Sequence, residues 1–150
     1  MFLPNDEFLD LVRAMPLAAV DLILTRPDGA VLLGRRLNQP AQGFWFTPGG
    51  RIRKDECLAD ALARVVLAEM GPAVPVLGWQ RVNFWEHLYE DNFAGEPGVS
   101  THYLALAHRL QLEAEVELSF DSQHEEMAWW PVVDLLASEA VHENTKAYFR

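Results

Sequence analysis

The stretch from Gly50 to Pro72 constrains the fold more than any other part of this sequence. A glycine-led loop rich in charged residues runs into the clearest helical pattern of the chain, which predicts a helix over residues 56–70 with Asp55 as its N-cap. Gly71-Pro72 ends this helix, because glycine accommodates the C-terminal turn and proline cannot continue it. The apolar residues that fall on one side of the helix are Leu58, Leu62, Val65, Val66 and Met70.

Strands and helices are interspersed along the rest of the chain. A nearly continuous apolar run over residues 17–25, interrupted by Asp21, predicts a buried strand. The turn residues at 27–29 predict a hairpin to a returning strand over 30–34. Further strands are predicted at 44–46, 101–112 and 127–130 with one or two more within 74–88, and helices at 5–15 and 131–136. This order predicts an α+β fold, an α/β/α sandwich around a mixed β-sheet, with residues 1–150 as a single domain.

Composition excludes several classes of protein. A net charge of −10 and an isoelectric point near 4.8 are unfavourable for nucleic-acid binding. The single cysteine, Cys57, allows no disulfide framework. Neither a signal peptide nor an apolar stretch of membrane-spanning length is visible, so we expect a cytoplasmic protein that does not act on membranes. A polyanionic ligand would need a metal ion and placed arginines to bind this acidic chain.

The same loop–helix segment carries the candidate chemistry. Gly49 and Gly50 allow the backbone to approach a ligand closely, so that a main-chain carbonyl there can reach a cation. Glu69, in the last turn of the predicted helix, supplies the hard oxygen that Mg²⁺ prefers. Glu56 and Arg64 are predicted to form an ion pair of structural importance.

The segment resembles the signature box of the Nudix hydrolases. Six positions match the box at its fixed offsets, and they are Gly50, Glu56, Arg64, Val66, Glu69 and Gly71. The chain departs from the box at Val65 and Ala68, where the family has further glutamates that hold several Mg²⁺ ions. Loss of these glutamates puts multi-metal attack of water at phosphorus in doubt.

Motifs outside the box resemble the GDP-mannose mannosyl hydrolase branch of the family. That branch is known for a single Mg²⁺ per active site and for water attack at the anomeric carbon of the sugar with inversion, which releases GDP and mannose. The matching segments are Met1-Phe2-Leu3, Asn38-Gln39-Pro40-Ala41-Gln42-Gly43, Asp91-Asn92-Phe93, Thr101-His102-Tyr103 and Gln123-His124-Glu125-Glu126.

The resemblance implies a role for each matching residue. Gly49 (through its carbonyl), Glu69 and Gln123 would hold one Mg²⁺, and His124 would be the general base. Arg36 and Arg51 would bind the diphosphate and stabilise the charge on the departing GDP. Tyr103 would hydrogen-bond a phosphate oxygen, and Asp21 and His87 would line the sugar pocket. The apolar residues expected at the nucleobase, across the interface of an expected homodimer, are Phe2, Leu3 and Phe8.

Residue chemistry alone leaves alternatives open. Asp21 within an apolar strand requires either a function or a buried hydrogen bond, and which of Arg35 and Arg36 faces the diphosphate depends on strand register.

Two other functions also compete with the mannosyl hydrolase. One is a conventional Nudix pyrophosphohydrolase that attacks phosphorus of a nucleoside diphosphate derivative, with Glu125 and Glu126 as replacement carboxylates. The other is a sugar-nucleotide sensor that binds without turnover.

Overall fold

A computed structural model describes residues 3–119 and 124–150. The first half of the chain contains two helices, α1 (Asn5–Ala14) and α2 (Leu58–Met70). Two shorter helices, α3 (Val132–Ala137) and α4 (Glu143–Lys146), lie near the C-terminus. A short 3₁₀ helix, Ala147–Phe149, follows α4 directly. The strands are β1 (Leu17–Thr25), β2 (Val31–Arg36), β3 (Trp45–Phe46), β4 (Gly49–Arg51), β5 (Gln80–Tyr89), β6 (Thr101–Gln111) and β7 (His124–Trp130).

The strands form one mixed sheet with β1 at its centre. Within the described residues the main order is β3-β2-β1-β6-β5, while β4 pairs with β1 and β7 pairs with β2. β1 and β6 are parallel over their whole contact, from Leu17 opposite Tyr103 to Thr25 opposite Gln111. The other pairs, including β1 with β4, are antiparallel.

Both faces of the central strand are buried, which explains its nearly continuous apolar run. Val20, Leu22 and Leu24 point to one face, where they pack in a cluster with residues of α2. Ile23 points to the opposite face, where it packs with Leu135 of α3 and with residues of the C-terminal segment. Helices therefore cover the sheet on both sides, and the predicted α/β/α sandwich of the α+β class is confirmed.

Three details of the predicted elements are wrong. The helix predicted from residue 56 begins at Leu58, and its N-cap is Cys57 rather than Asp55. Asp55 lies in the preceding loop with φ at 64°, which is not a helical conformation. The carboxylate of Glu56 accepts hydrogen bonds from Arg53 N and Arg64 Nε. β4 occupies Gly49–Arg51, where the sequence predicts a loop, and the last strand begins at His124 instead of 127.

No helix among those in the described part of the chain combines the length and apolarity that a bilayer crossing requires.

The C-terminal cap of α2 makes Gly71 a test of the fold. Gly71 has φ 84° and ψ −178°, a region that only glycine adopts without strain, and an added Cβ would lie 2.7 Å from Ser119 O. We expect Gly71→Ala to lower the free energy of unfolding by about 3 kcal/mol, from backbone strain and overpacking together. Urea denaturation measures this loss.

Gly29 supplies the matched control. Its φ is 90°, but an added Cβ would meet nothing within 4 Å. Gly29→Ala therefore reports strain alone, and we expect a loss of about 1 kcal/mol. Equal losses in the two variants would contradict the close packing of Ser119 against Gly71.

Candidate active site

A cleft of about 430 Å³ opens beside the central strand. It lies where β1, β4, the C-terminal half of α2 and the inward-facing residues of β5 and β6 meet. Its polar lining residues include Asp21, Arg36, Asn38, Thr47, Arg51, Arg53, Arg64, Glu69, His87, Tyr89 and Tyr103, and its other lining residues are Ala19, Phe46, Gly49, Gly50, Val65 and Ala105.

The loop that enters α2 is closed by the predicted ion pair between Glu56 and Arg64. Arg64 donates from Nε to Glu56 Oε2 at 2.7 Å and from Nη2 to Glu56 Oε1 at 2.8 Å. The same Nη2 donates to the carbonyl of Arg51 at 2.9 Å, and Arg53 N donates to Glu56 Oε1 at 3.0 Å. The hydrogen bonds from Arg64 hold the pKa of Glu56 at about 2. Because these bonds join β4, the loop and α2, they fix the position of Gly49 relative to Glu69.

Gly49 lies too close to β1 for any side chain. A Cβ at this position would stand 2.5 Å from Asp21 Oδ1 and 2.5 Å from the carbonyl oxygen of Val20. Position 49 therefore requires glycine, because the neighbouring backbone cannot move aside.

The carbonyl of Gly49 is available to a ligand. Leu22 N donates to Pro48 O at 2.8 Å, and Ile52 N donates to Ala18 O at 2.9 Å. Main-chain groups of successive strand residues point to alternate sides, so the carbonyl of Gly49 points away from β1. In the described residues β4 has no second partner strand on that side.

The oxygen donors at this end of the cleft fit a hard divalent cation. Glu69 is 3% exposed and lines the cleft, and its charge acts on the nearby carboxyl of Asp21. Together with the Gly49 carbonyl these groups are the donor type that Mg²⁺ prefers. No cluster of three or more histidine, cysteine, aspartate or glutamate side chains suited to a metal occurs among residues 3–119 and 126–150. Gln123, the third expected ligand, lies outside the described residues.

Two of the four arginines that line the cleft lie against aromatic rings. The guanidinium carbon of Arg36 lies 5.6 Å from the ring centroid of Phe46. The guanidinium carbon of Arg51 lies 4.7 Å from the ring centroid of Phe8. Arg35 instead has Nη2 3.4 Å from Glu126 Oε1, and a register shift in the β2–β7 ladder falls between Arg35 and Arg36. The register therefore turns Arg36, rather than Arg35, to the cleft.

A buried polar cluster occupies the part of the lining contributed by β1 and β5. Tyr148 donates a short hydrogen bond from its hydroxyl to Asp21 Oδ2, and the same hydroxyl oxygen lies 3.3 Å from His87 Nε2. Burial raises the pKa of Asp21 to about 6, although the hydrogen bond from Tyr148 opposes the shift. Burial, with His142 nearby, lowers the pKa of His87 to about 4, so this histidine is neutral at physiological pH.

The structure brings most of the expected site residues together, although their roles stay predictions. Seven of the lining residues were expected at the site, and they are Asp21, Arg36, Gly49, Arg51, Glu69, His87 and Tyr103. Phe8 is not among the lining residues but contacts Arg51, and its ring also packs on Phe93 at 4.9 Å between centroids. Leu3 is half-buried and absent from the lining. Phe2 lies outside the described residues, and the backbone of His124 lies opposite Arg36 in the β2–β7 ladder.

Sequence reasoning missed Tyr148, Tyr89 and Phe46. Tyr148 meets Asp21 across 127 residues of chain, and no local pattern signals a contact of that kind. The apolar pattern around Tyr148 indicates only a packed C-terminus. The one available signal was Asp21 itself, since a buried carboxyl group requires a polar partner somewhere in the chain.

The raised pKa of Asp21 predicts a pH-dependent stability. The folded state holds the Asp21 proton more tightly than the unfolded state, whose pKa is near 3.8. Stability contributed by the protonated group is therefore lost as pH rises from about 4 to about 6, by about 3 kcal/mol in total. The lowered pKa of His87 has the opposite effect, a gain of stability as pH rises from about 4 to about 6.5, so the loss from Asp21 is visible only as a difference between two proteins. From pH 4 to pH 6 we expect the free energy of unfolding of Asp21→Asn to rise by about 3 kcal/mol relative to that of the unmodified protein, measured by denaturation without divalent cations.

Asp28→Asn is the control for this measurement. The hydrogen bond from Arg26 lowers the pKa of Asp28 to about 2, so its titration lies below the window from pH 4 to 6. This variant should keep the pH dependence of the unmodified protein. If Asp21→Asn shows the same pH dependence as the unmodified protein, Asp21 is not a group that titrates in this window.

Known proteins share both the sequence and the architecture. The chain matches the family described as NUDIX domain over residues 15–150. It is 42% identical over 125 residues to the low-salt glycan biosynthesis protein Agl8 of Haloferax volcanii, an alignment that covers 83% of this chain and 77% of that protein. It is 25% identical over 150 residues to the human m7GpppN-mRNA hydrolase NUDT17, with 95% of this chain and 44% of that protein covered.

Solved structures show the same fold. The MutT protein from Methanosarcina mazei superimposes with a TM-score of 0.68 at 22% identity, covering 91% of this chain and 92% of that chain. The MutT Nudix hydrolase from Burkholderia pseudomallei also gives a TM-score of 0.68, at 21% identity over 89% of this chain and 95% of that chain. These structures show the fold, and the family match over residues 15–150 shows that this chain belongs to the Nudix family of hydrolases.

Proposed function

We propose that this Nudix hydrolase cleaves GDP-mannose, with GDP-glucose as a second substrate, into GDP and free sugar. In the proposed reaction, which depends on one Mg²⁺, water attacks the anomeric carbon and inverts its configuration. The observation that carries the proposal is the composition of α2, which contributes Glu69 as its only carboxylate to the described lining of the cleft.

The positions of the missing glutamates support attack at carbon. Val65 is 2% exposed, belongs to the hydrophobic core and has Cγ2 3.0 Å from the point where a Cβ on Gly50 would stand. Ala68 lies exposed on α2 and carries no ligand atom. Attack at phosphorus by a cluster of metal ions requires several carboxylates, whereas Glu69 with a main-chain carbonyl suits one ion.

The positive charges suit a diphosphate leaving group. Cleavage of the bond between the anomeric carbon and oxygen leaves negative charge on GDP, and fixed cations stabilise that charge as it develops. The guanidinium groups of Arg36 and Arg51 line the cleft for this role, and Tyr103 can donate a hydrogen bond to a phosphate oxygen. With the leaving group stabilised in this way, a second acid to protonate it is less necessary than in a glycosidase with two carboxylates.

The buried polar cluster suits the sugar. Positive charge develops on the sugar ring as the bond breaks. Above about pH 6 the carboxylate of Asp21 is ionised, and its negative charge favours that transition state. The neutral ring of His87 adds a hydrogen-bonding group without repelling the positive charge.

The attacking water needs a base, and the resemblance assigns this role to His124. An imidazole suits the role because its ordinary pKa lies near neutral pH. The register of β7 supports the assignment, since it sets the backbone of His124 opposite Arg36, which lines the cleft. The Gly49 carbonyl, Glu69 and Gln123 would hold Mg²⁺, which neutralises charge on the diphosphate when bound.

The competing function is a pyrophosphohydrolase that attacks phosphorus. It would need Glu125 and Glu126 as replacement carboxylates, but the side chain of Glu126 is 51% exposed and lies 3.4 Å from Arg35. Similarity to a protein named for glycan biosynthesis also favours a sugar nucleotide over other nucleotide derivatives. The resemblance to the mannosyl hydrolases implies a homodimer, and the sequence predicts a cytoplasmic location; both properties stay predictions.

Hydrolysis of GDP-mannose in water labelled with heavy oxygen distinguishes the two reactions. With Mg²⁺ present, we expect the label in free mannose and unlabelled GDP by mass spectrometry, because water forms its new bond to carbon. Label in GMP or in mannose phosphate would mean attack at phosphorus and would overturn the proposal. Failure to turn over GDP-mannose, with binding intact, would support the sensor function instead.

Variants of the base and the metal ligand test the assigned roles. We expect His124→Gln to lower kcat about a hundredfold or more with little change in substrate binding. We expect Glu69→Gln to raise the Mg²⁺ concentration needed for half-maximal rate. Both effects are measured by steady-state kinetics across a magnesium titration.

Two further variants serve as controls. His102 pairs with Glu86 at 3.7 Å outside the cleft lining, so His102→Gln should keep kcat. Glu126→Gln should also keep kcat, whereas the pyrophosphohydrolase function expects it to lose activity. An unchanged rate in His124→Gln would remove this residue as the base.

A further inference from the structure

Tyr148 is a buried group that the proposed reaction does not yet use. It is 6% exposed and lies in the 3₁₀ helix at the C-terminus. Its hydroxyl joins Asp21 of β1 to His87 of β5, residues that are 127 and 61 positions away in the chain. No other residue in the described part of the chain has a side-chain hydrogen bond to both of them.

The direction of these hydrogen bonds follows from the chemistry of the groups. An ionised carboxylate only accepts, so the Tyr148 hydroxyl donates its proton to Asp21 Oδ2. The phenolic oxygen then accepts from His87 Nε2, 3.3 Å away, which requires that nitrogen to carry the proton. Since His87 is neutral, its Nδ1 is left unprotonated as an acceptor.

Direct contact between Asp21 and His87 cannot replace this link. His87 Nδ1 lies 4.0 Å from Asp21 Oδ2, beyond hydrogen-bonding distance. The free oxygen of the carboxylate, Oδ1, lies on the side of Gly49, where a Cβ on that glycine would come within 2.5 Å of it. Both Asp21 and Gly49 line the cleft, and Oδ1 is the carboxylate oxygen that Tyr148 does not bond.

The C-terminal segment is itself held firmly. The ring of Tyr148 packs edge-on against Trp85 with centroids 4.6 Å apart. Thr145 Oγ1 accepts a hydrogen bond from Thr47 N at 3.3 Å, which ties α4 to the segment beside the cleft. Arg150 Nη2 lies 2.7 Å from Glu143 Oε2 and closes the final turn. The hydroxyl of Tyr148 therefore has a fixed position relative to the cleft.

We propose that Tyr148 is a positioning residue for the sugar end of the site. It holds Asp21 with Oδ1 toward the cleft and holds His87 in the tautomer protonated at Nε2. The pocket then presents acceptors, Asp21 Oδ1 and His87 Nδ1, which suit the donating hydroxyl groups of a sugar. The inference about the sugar rests on the proposed function, while the inference about the tautomer rests on the structure alone.

The tautomer can be measured without any substrate. Nitrogen NMR of the histidine rings in uniformly labelled protein distinguishes protonated from unprotonated ring nitrogens, and His87→Gln identifies the signals of His87. In the unmodified protein at neutral pH we expect Nε2 protonated and Nδ1 unprotonated. In Tyr148→Phe we expect a mixture of tautomers, because the acceptor of the Nε2 proton is gone. A protonated Nδ1 in the unmodified protein would overturn the inference whether or not the variant folds.

Kinetics test the consequence for the sugar. We expect Tyr148→Phe to lower kcat for GDP-mannose about a hundredfold through misplacement of Asp21 and His87. Binding of GDP, which lacks the sugar, should be unchanged by calorimetry, because Arg36 and Arg51 remain in place. Equal weakening of GDP binding would mean a general structural defect and would overturn the positioning role.

Phe149→Leu is the matched control, because it alters the neighbouring residue in the same 3₁₀ helix and keeps the hydroxyl. It should leave the His87 tautomer and kcat unchanged, and a shift in either would show that disturbance of the C-terminus is sufficient. If GDP-mannose is not a substrate but the tautomer changes as expected in Tyr148→Phe, the proposed function fails and the positioning of His87 stands. If GDP-mannose is hydrolysed and the tautomer in Tyr148→Phe is unaffected, the proposed function stands and the positioning of His87 by Tyr148 fails.

Discussion

The bidentate pair between Arg64 and Glu56 is the interaction on which the site depends most. Exposed ion pairs contribute little to stability, but these side chains are 29% and 16% exposed, and each makes a further hydrogen bond to the backbone, Arg64 to β4 and Glu56 to the loop. The pair joins α2 to the carbonyl of Arg51 in β4 and therefore sets the distance between Gly49 and Glu69. A lysine in place of Arg64 could not make the two parallel bonds and the third to the backbone at once.

The cleft places positive charge where a polyanionic ligand would otherwise be repelled by this acidic protein. The chain carries a net charge of −10, yet Arg36 and Arg51 face the cleft, where each guanidinium lies over an aromatic ring. Stacking on a ring limits the motion of a guanidinium without neutralising its charge. The carboxylates of Asp21 and Glu69 share the same lining, so a divalent cation between ligand and protein would offset their repulsion of phosphate.

Sequence patterns predicted those parts of the fold that depend on local periodicity. The buried strand over 17–25 and the end of α2 at Gly71 are confirmed because apolar spacing and glycine chemistry act within a few residues. The start of α2 was wrong by two residues, because Asp55 has a positive φ and Cys57 is extended, so that the helix begins only at Leu58. β4 has only three residues, two of them glycine, and its existence depends on pairing with β1, which no local pattern reveals.

The site residues show the same division between local and distant information. Glu69 and Arg64 were found because a contiguous box contains them, but the choice between Arg35 and Arg36 required the register of β2 against β7. The clearest case is Asp21, for which the sequence left a function and a buried hydrogen bond as alternatives. The structure shows the hydrogen bond, from Tyr148, in the lining of the same cleft, so the two alternatives are compatible. Because Asp21 has its partner near the C-terminus and Arg51 has Phe8 near the N-terminus, the site reaches its full arrangement only when both ends of the chain have packed against the sheet.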